Sequence, residues 1–280
     1  DLCWRPAANS TDRAGCRPTG ARLRIHHDWK ALPLDARGAS VAMGNFDGVH
    51  LGHRSVIDAA RAACDAALGV ITFEPHPRQF FASDSPAFRL MNAESRANRL
   101  ARLGVDHLYE LPFDAVLAGL SPQDFAREVL VGGLGVRHVT VGADFCFGHK
   151  RAGDAATLAA LGREMGFGVT IAPLIGDGQV EYSSTAVRRA LAEGRTRDAE
   201  RMLGHWHRID GEVLHGDKRG RDLGYPTANM AVEGLHLPRL GVYAVLVDVL
   251  TGPDRGSYKA VASLGVRPMF GENRPNLEVH

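Results

Sequence analysis

From about residue 40 the chain alternates short β-rich apolar runs with longer stretches whose apolar residues recur at helical spacing. Val41-Ala42-Met43 reads as a buried strand, Gly44 to Gly52 as its loop, and His53 to Ala67 as a helix burying Val56, Ile57, Ala60 and Cys64. Val70 to Phe73 is the next strand. A helix follows from Asn92 to Leu103, and another begins where Ser121 caps and Pro122 takes the first helical position, running to about Leu130. Arg137 to Gly142 and Phe167 to Ala172 have strand character, separated by a helix that Asp154 caps and Met165 ends. Strands and helices in this alternation predict an α/β domain with a doubly wound parallel sheet.

The texture changes after Gly204. Ser184 is the expected cap of a helix through Ala192, and Thr196 to Leu203 forms a second short helix. Beyond them His207 to Leu214, Gly241 to Leu250, Tyr258 to Leu264 and Leu277 to His280 read as strands between Gly-rich and Pro-rich turns, which predicts an antiparallel β-barrel. The boundary between the domains falls near residues 188 to 204, and residues 1 to 20, polar and rich in Gly, Pro and Arg, read as a disordered leader.

Composition narrows the function classes. Hydrophobic residues at 45% with 23% charged fit a globular chain that buries a core, and 280 residues suffice for two domains. Lys plus Arg number 33 against 32 Asp plus Glu, so a net charge of +1 gives no electrostatic case for nucleic acid or a membrane surface. No apolar run reaches the length of a membrane helix. The four cysteines, Cys3, Cys16, Cys64 and Cys146, are scattered without a CxxC pair, which fits a reduced, cytoplasmic protein. A homo-oligomer is compatible with this composition.

The strongest chemical signal is Gly44-Asn45-Phe46-Asp47-Gly48-Val49-His50-Leu51-Gly52-His53. It follows a strand and opens a helix, at the carboxyl edge where open α/β sheets bind ligands and where free N–H groups attract phosphate. Glycines let backbone approach the ligand, and two imidazoles three apart can donate to one anion as charge develops. A capping His beside a surface His, or two zinc ligands lacking an evident third, are the competing readings. Ser184, Thr185 and Arg188 combine hydroxyls at a helix start with a guanidinium one turn on, a set suited to polyphosphate as well as to an ordinary capped helix. In the C-terminal half, Gly216 to Asn229 is a basic glycine loop ending in Pro226-Thr227-Ala228-Asn229, either a hairpin connection or a phosphate-covering loop whose oxygens suit Mg²⁺.

His50-Leu51-Gly52-His53 resembles the HxGH signature of nucleotidyltransferases, and the longer run resembles the adenylyltransferase module of bacterial bifunctional riboflavin kinase/FAD synthetases. Thr72-Phe73-Glu74-Pro75-His76-Pro77, Val141 to Gly148 and Ser183 to Arg188 resemble further segments of that family in order. The Pro-Thr-Ala-Asn ending, Gly241 to Ala244, Leu264 to Pro268 and Leu277 to His280 resemble its riboflavin kinase domain.

The resemblance implies a Rossmann-like FMN adenylyltransferase domain at residues 21–187, a helical linker at 188–203 and a riboflavin kinase barrel at 204–280. It also implies FAD biosynthesis from ATP, riboflavin and FMN with Mg²⁺. His50 and His53 would contact ATP phosphates in the transition state, with Gly44, Asn45, Phe46, Asp47 and Gly52 around the nucleotide and Ser184, Thr185 and Arg188 on the triphosphate. Asp144 and Phe147 would border the flavin or adenine. Gly216, Lys218, Gly220 and Gly224 would cover ATP in the kinase, Thr227 and Asn229 would hold Mg²⁺ and phosphate, and Glu278 would take the proton from the ribityl hydroxyl. Family members continue past Glu278 with more strand and a helix, so the expectation here is an incomplete barrel with impaired kinase activity. Two other readings are an HxGH enzyme for a different phosphate acceptor, disfavoured by the barrel, and a flavin-binding regulatory module with inactive sites, disfavoured by intact His50, His53, Asn229 and Glu278.

Overall fold

The computed structural model describes residues 23–82, 84, 86–178, 180–214, 227–269 and 272–280; the expected leader lies outside them. The chain forms two compact units. The first holds the described residues through 84 together with Ala93–Ser183, and the second holds Pro86–Asn92 and Ser184–His280. Among the described residues no helix is long and apolar enough to cross a membrane.

In the first unit, strands β1 (Arg24–His26), β2 (Ser40–Met43), β3 (Leu68–Glu74), β4 (His107–Pro112) and β5 (His138–Gly142) precede a small antiparallel hairpin, β6 (Cys146–Phe147) with β7 (Gly153–Asp154), and then β8 (Gly168–Ala172). Six of them make a parallel sheet in the order β1-β4-β3-β2-β5-β8. Its connections run outward in both directions from β2, so the doubly wound expectation holds and a crevice opens beyond the carboxyl ends of β2 and β5. Strand β4 has no counterpart in the sequence reading. Its His107 and Glu110 interrupt the apolar run, yet every residue through Leu111 is buried because neighbours cover both faces.

Helices α1 (Leu51–Ala63), α2 (Pro77–Phe81), α3 (Ala93–Arg102), α4 (Ala115–Gly119), α5 (Pro122–Asp124) and α6 (Ala155–Met165) connect these strands. Helix α1 begins two residues before the expected His53, because His50 itself takes the capping position, and it stops at Ala63 where Cys64 turns extended. Ser121 caps α5 as expected, its Oγ accepting the Asp124 N–H at 3.1 Å. The continuation over Phe125–Gly133 is a π-helix instead of the α-helix anticipated. Phe125, Val129 and Gly133, with Ala126 and Leu130, are buried at four-residue spacing. Four-residue spacing keeps such a row on one face of either an α- or a π-helix, so the pattern does not distinguish the two. These residues join Val41, Met43, Ile71, Val139 and Val141 in the core under the sheet.

The second unit opens with α7 (Ser184–Ala192) and α8 (Thr196–Leu203). Ser184 is the first helical residue of α7 and not the residue before it. Strands β9 (Val213–Leu214), β10 (Ala228–Met230), β11 (Gly241–Val249), β12 (Gly256–Met269) and β13 (Glu272–Val279) then form an antiparallel sheet in the order β11-β12-β13-β10-β9. β12 and β13 are longer than expected because they pair as one hairpin down to Met269 opposite Glu272. The strand expected from His207 begins only at Val213, and β10, in the Pro-Thr-Ala-Asn segment, is additional. One face of the sheet builds a core from Met230, Val232, Ala262, Leu264, Leu277 and Val279.

Candidate active site

The glycine-rich loop leaves β2 at the topological switch of the parallel sheet. Gly44 N–H still bonds to Ile71 O at 3.1 Å, after which Phe46, Gly48 and Val49 take left-handed conformations with φ of 51°, 87° and 42°. A β-branched residue in that region is strained, and such strain persists only where surroundings hold it. Phe46, Asp47 and Val49 are buried, so the loop is packed from inside. From β3, the buried Thr72 donates its hydroxyl to Asn45 O at 3.1 Å and fixes the loop's entry.

His50 and His53 come together. His50 caps α1, its Nδ1 accepting the His53 N–H at 3.3 Å, which leaves the His50 proton on Nε2. The rings stack at 3.7 Å between centroids with 23° between planes, and Phe46 closes the other side of His53 at 5.0 Å. His53 Nδ1 is buried without a hydrogen-bond partner among the described residues. Burial, and then the neighbouring His50, drive the His53 pKa well below its ordinary value. Positive charge on His53 is therefore disfavoured until an anion arrives to stabilise it. Gly52 is obligatory at this junction: a Cβ there would meet Tyr182 O at 2.9 Å and the His50 ring at 3.0 Å. Tyr182 carries no motif of its own, Thr72 opens the Thr72 to Pro77 segment, and only the packing identifies what either does here.

Asp144 lies exposed in the turn after β5, where Phe145 N–H bonds to Gly142 O at 3.1 Å. Phe147 is buried in the core, tilted against Phe125 at 5.7 Å and stacked on Phe145 at 5.9 Å. Beyond β3 and β4 lies an aromatic cluster that the sequence reading passed over. Phe80 and Phe81, 38% and 70% exposed, set their rings edge-on to Phe113 at 5.4 and 5.8 Å, and Phe73 meets Phe113 at 5.8 Å. Two adjacent phenylalanines three residues after Pro77, beyond the carboxyl end of a parallel strand, were the available signal.

In the second unit Thr185 is exposed on α7 with Ser184 and Arg188 half-buried. Arg188 lies over the Phe88 ring at 5.7 Å and donates to Phe88 O at 3.3 Å, while its own carbonyl meets His236 Nε2 at 2.9 Å. Asn229 on β10 stands directly opposite Glu278 on β13. Because Ala228, Met230, Leu277 and Val279 belong to the core face, alternation turns Asn229 and Glu278 to the other face together, and Thr227 comes directly before β10. Asn276, also two residues away on one strand, donates to Glu278 Oε1 at 2.8 Å and orients the carboxylate; sequence reasoning missed it. Gly216, Lys218, Gly220 and Gly224 lie outside the described residues. An apolar cavity of about 470 Å³, lined among others by His207, Met230, Leu264 and Leu277, sits on the core face of the sheet, away from the Asn229–Glu278 chemistry.

Comparison with known proteins divides the chain in the same sense. Residues 32–186 match the family described as FAD synthetase, and residues 203–280 match the family described as riboflavin kinase. A bifunctional riboflavin kinase/FMN adenylyltransferase of Pseudomonas fluorescens is 42% identical over 254 residues, covering 89% of this chain and 80% of its own. Those of Escherichia coli and Bacillus subtilis are 40% and 34% identical, covering 92% and 90% of this chain and 82% and 80% of their own. Among solved structures, one titled as a macrolide-efflux protein from Streptococcus pneumoniae superposes with a TM-score of 0.77 at 29% identity, over 92% of this chain and 84% of that one.

Proposed function

The chain belongs to the family of bifunctional riboflavin kinase/FMN adenylyltransferases, and from that premise we propose how its residues divide the work of FAD biosynthesis. The C-terminal unit phosphorylates riboflavin with ATP, and the N-terminal unit adenylylates the resulting FMN. The observation that carries the second assignment is the stacked imidazole pair at the start of α1, beside the switch point of the sheet.

In the adenylyl transfer a phosphate oxygen of FMN attacks the α-phosphorus of ATP, the bond to the β-phosphate breaks, and pyrophosphate leaves. The protein's share is placement and neutralisation of charge. His50 Nε2–H and His53 donate to the phosphate oxygens, and the free N–H groups of α1 add their dipole. Negative charge growing in the transition state favours positive charge on His53, which burial otherwise disfavours, so the stabilisation is greatest when the reaction needs it. Asn45 and Asp47 hold nucleotide at the loop, in the same unit as the imidazole pair. The exposed rings of Phe80 and Phe81 suit a planar acceptor, which favours a flavin over an aliphatic phosphate. Asp144 borders the same acceptor.

In the kinase, Glu278 removes the proton from the ribityl hydroxyl as that oxygen attacks the γ-phosphorus and ADP departs. The oxygens of Asn229, opposite Glu278, and of Thr227 just before the strand fit a hard divalent cation, so these residues would hold Mg²⁺ with ATP. Bound Mg²⁺ supplies neutralisation of the phosphate charge. Cys64 and Cys146 are free thiols, in keeping with a cytoplasmic enzyme.

Chromatography of products formed from FMN, ATP and Mg²⁺ tests the imidazole assignment. His50→Ala and His53→Ala are expected to lower kcat for FAD formation on the order of 10²–10³-fold while KM changes little. Unchanged turnover in both variants would remove the role given to the pair.

A further inference from the structure

The Thr72 to Pro77 segment takes no part in the transfer chemistry above, yet it ends on one of the most buried charges in the molecule. Arg96, on α3, has a side chain only 1% exposed. Its Nη2 donates both to Glu74 Oε2 at 2.9 Å and to Glu110 Oε2 at 2.7 Å. Strand register explains the arrangement. Thr72 stands opposite Glu110, so Glu74, two residues further along β3, presents its carboxylate on the same face as its diagonal neighbour in β4. One guanidinium thus bridges two carboxylates that would otherwise repel each other in a poorly solvated place.

Stability alone is a weak reason to keep such a group, since well-packed apolar residues often replace a buried ion pair without loss. What it does hold in place is specific. Glu74 closes β3, and its carbonyl accepts the Phe113 N–H at 3.0 Å. Two residues on, His76 caps α2, with Arg78 N–H on His76 Nδ1 at 3.1 Å and His76 N–H on the Gln79 side chain at 3.3 Å. Helix α2 ends on the exposed Phe80 and Phe81. Both strands feeding the aromatic cluster are therefore tied to one arginine at the point where the chain leaves the sheet.

We infer that Arg96, acting through Glu74 and Glu110, is a positioning residue for the aromatic platform, and that this clamp sets affinity for the flavin acceptor without touching it. The inference rests on the reading of Phe80 and Phe81 as the flavin-facing rings. Steady-state kinetics of FAD formation in Glu74→Gln, Arg96→Lys and Phe81→Ala separates the two ideas. Glu74→Gln is expected to raise KM for FMN on the order of tenfold, with KM for ATP and kcat at saturating FMN within about twofold. Arg96→Lys keeps the charge but loses the planar fork, and shifts the same constant in the same direction. Should Arg96→Lys fail to fold, Glu74→Gln decides alone, because that carboxylate is about one-third exposed. If Phe81→Ala raises KM for FMN while Glu74→Gln alters neither KM, or alters both in proportion, the clamp is refuted and the acceptor reading stands. If Phe81→Ala leaves KM for FMN unchanged, the acceptor reading falls, and the inference with it.

Discussion

At the residue scale the adenylylation site is governed by what fits between α1 and the chain at Tyr182. A methyl group at position 52 would press on a backbone oxygen and on the His50 ring, neither of which yields cheaply. Gly52→Ala is therefore expected to displace His50 and to cut kcat for FAD formation by at least about tenfold in a protein that keeps its helical circular dichroism. Full activity of that variant would mean that the ring's position is not critical. Histidine burial has a second consequence. His53, His26, His107 and His138 are all pushed below their ordinary pKa mainly by burial, and His207 is pushed down to about 3. The unfolded chain takes up protons near pH 6.5 while the native chain does not. Stability is thus complete above about pH 6.5 and declines as pH falls from there towards 3, which urea titrations at pH 7.5, 6 and 5 would show as a falling midpoint. The imidazole pair itself was legible from two histidines three apart after a glycine loop. The stacking was not, because it depends on His50 sitting outside the helix as its cap, and the supporting Thr72, Tyr182 and Asn276 act through contacts that no local pattern encodes.

Helix and strand boundaries followed local chemistry where a single side chain decides them. Asp154 and Ser121 cap the helices they were expected to cap, each accepting an N–H three residues on. Ser121→Ala is expected to cost about 1 kcal/mol and lower Tm by a few degrees, whereas Ser121→Gly costs only a few tenths; equal melting temperatures for all three would discount the cap. Sequence pattern failed where tertiary packing took over. Strand β4 was missed because a buried Glu110 and His107 look like surface residues until Arg96 and Arg24 are seen beside them at 2.7 and 3.3 Å. The π-helix was read as α because four-residue spacing over nine residues is hard to distinguish from 3.6.

For the whole molecule, two units with separate cores, the imidazole pair in one and the Asn229–Glu278 pair in the other, imply activities that can be removed one at a time. Glu278→Gln is expected to abolish the FMN formation from riboflavin that the chain supports and to leave FAD formation from supplied FMN intact. His50→Ala should do the reverse. Loss of both products in either variant would show that the two reactions share an essential group. The α/β and antiparallel halves were both visible in the sequence because their hydrophobic periods differ, 3.6 and alternating in one, alternating alone in the other.

Asn229 and Glu278 face away from Met230 and Leu277 on the very same pair of strands. A greasy molecule lodged in the hollow behind that sheet would meet Met230, Leu264 and Leu277, and not the side chains of Asn229 and Glu278 on the opposite face.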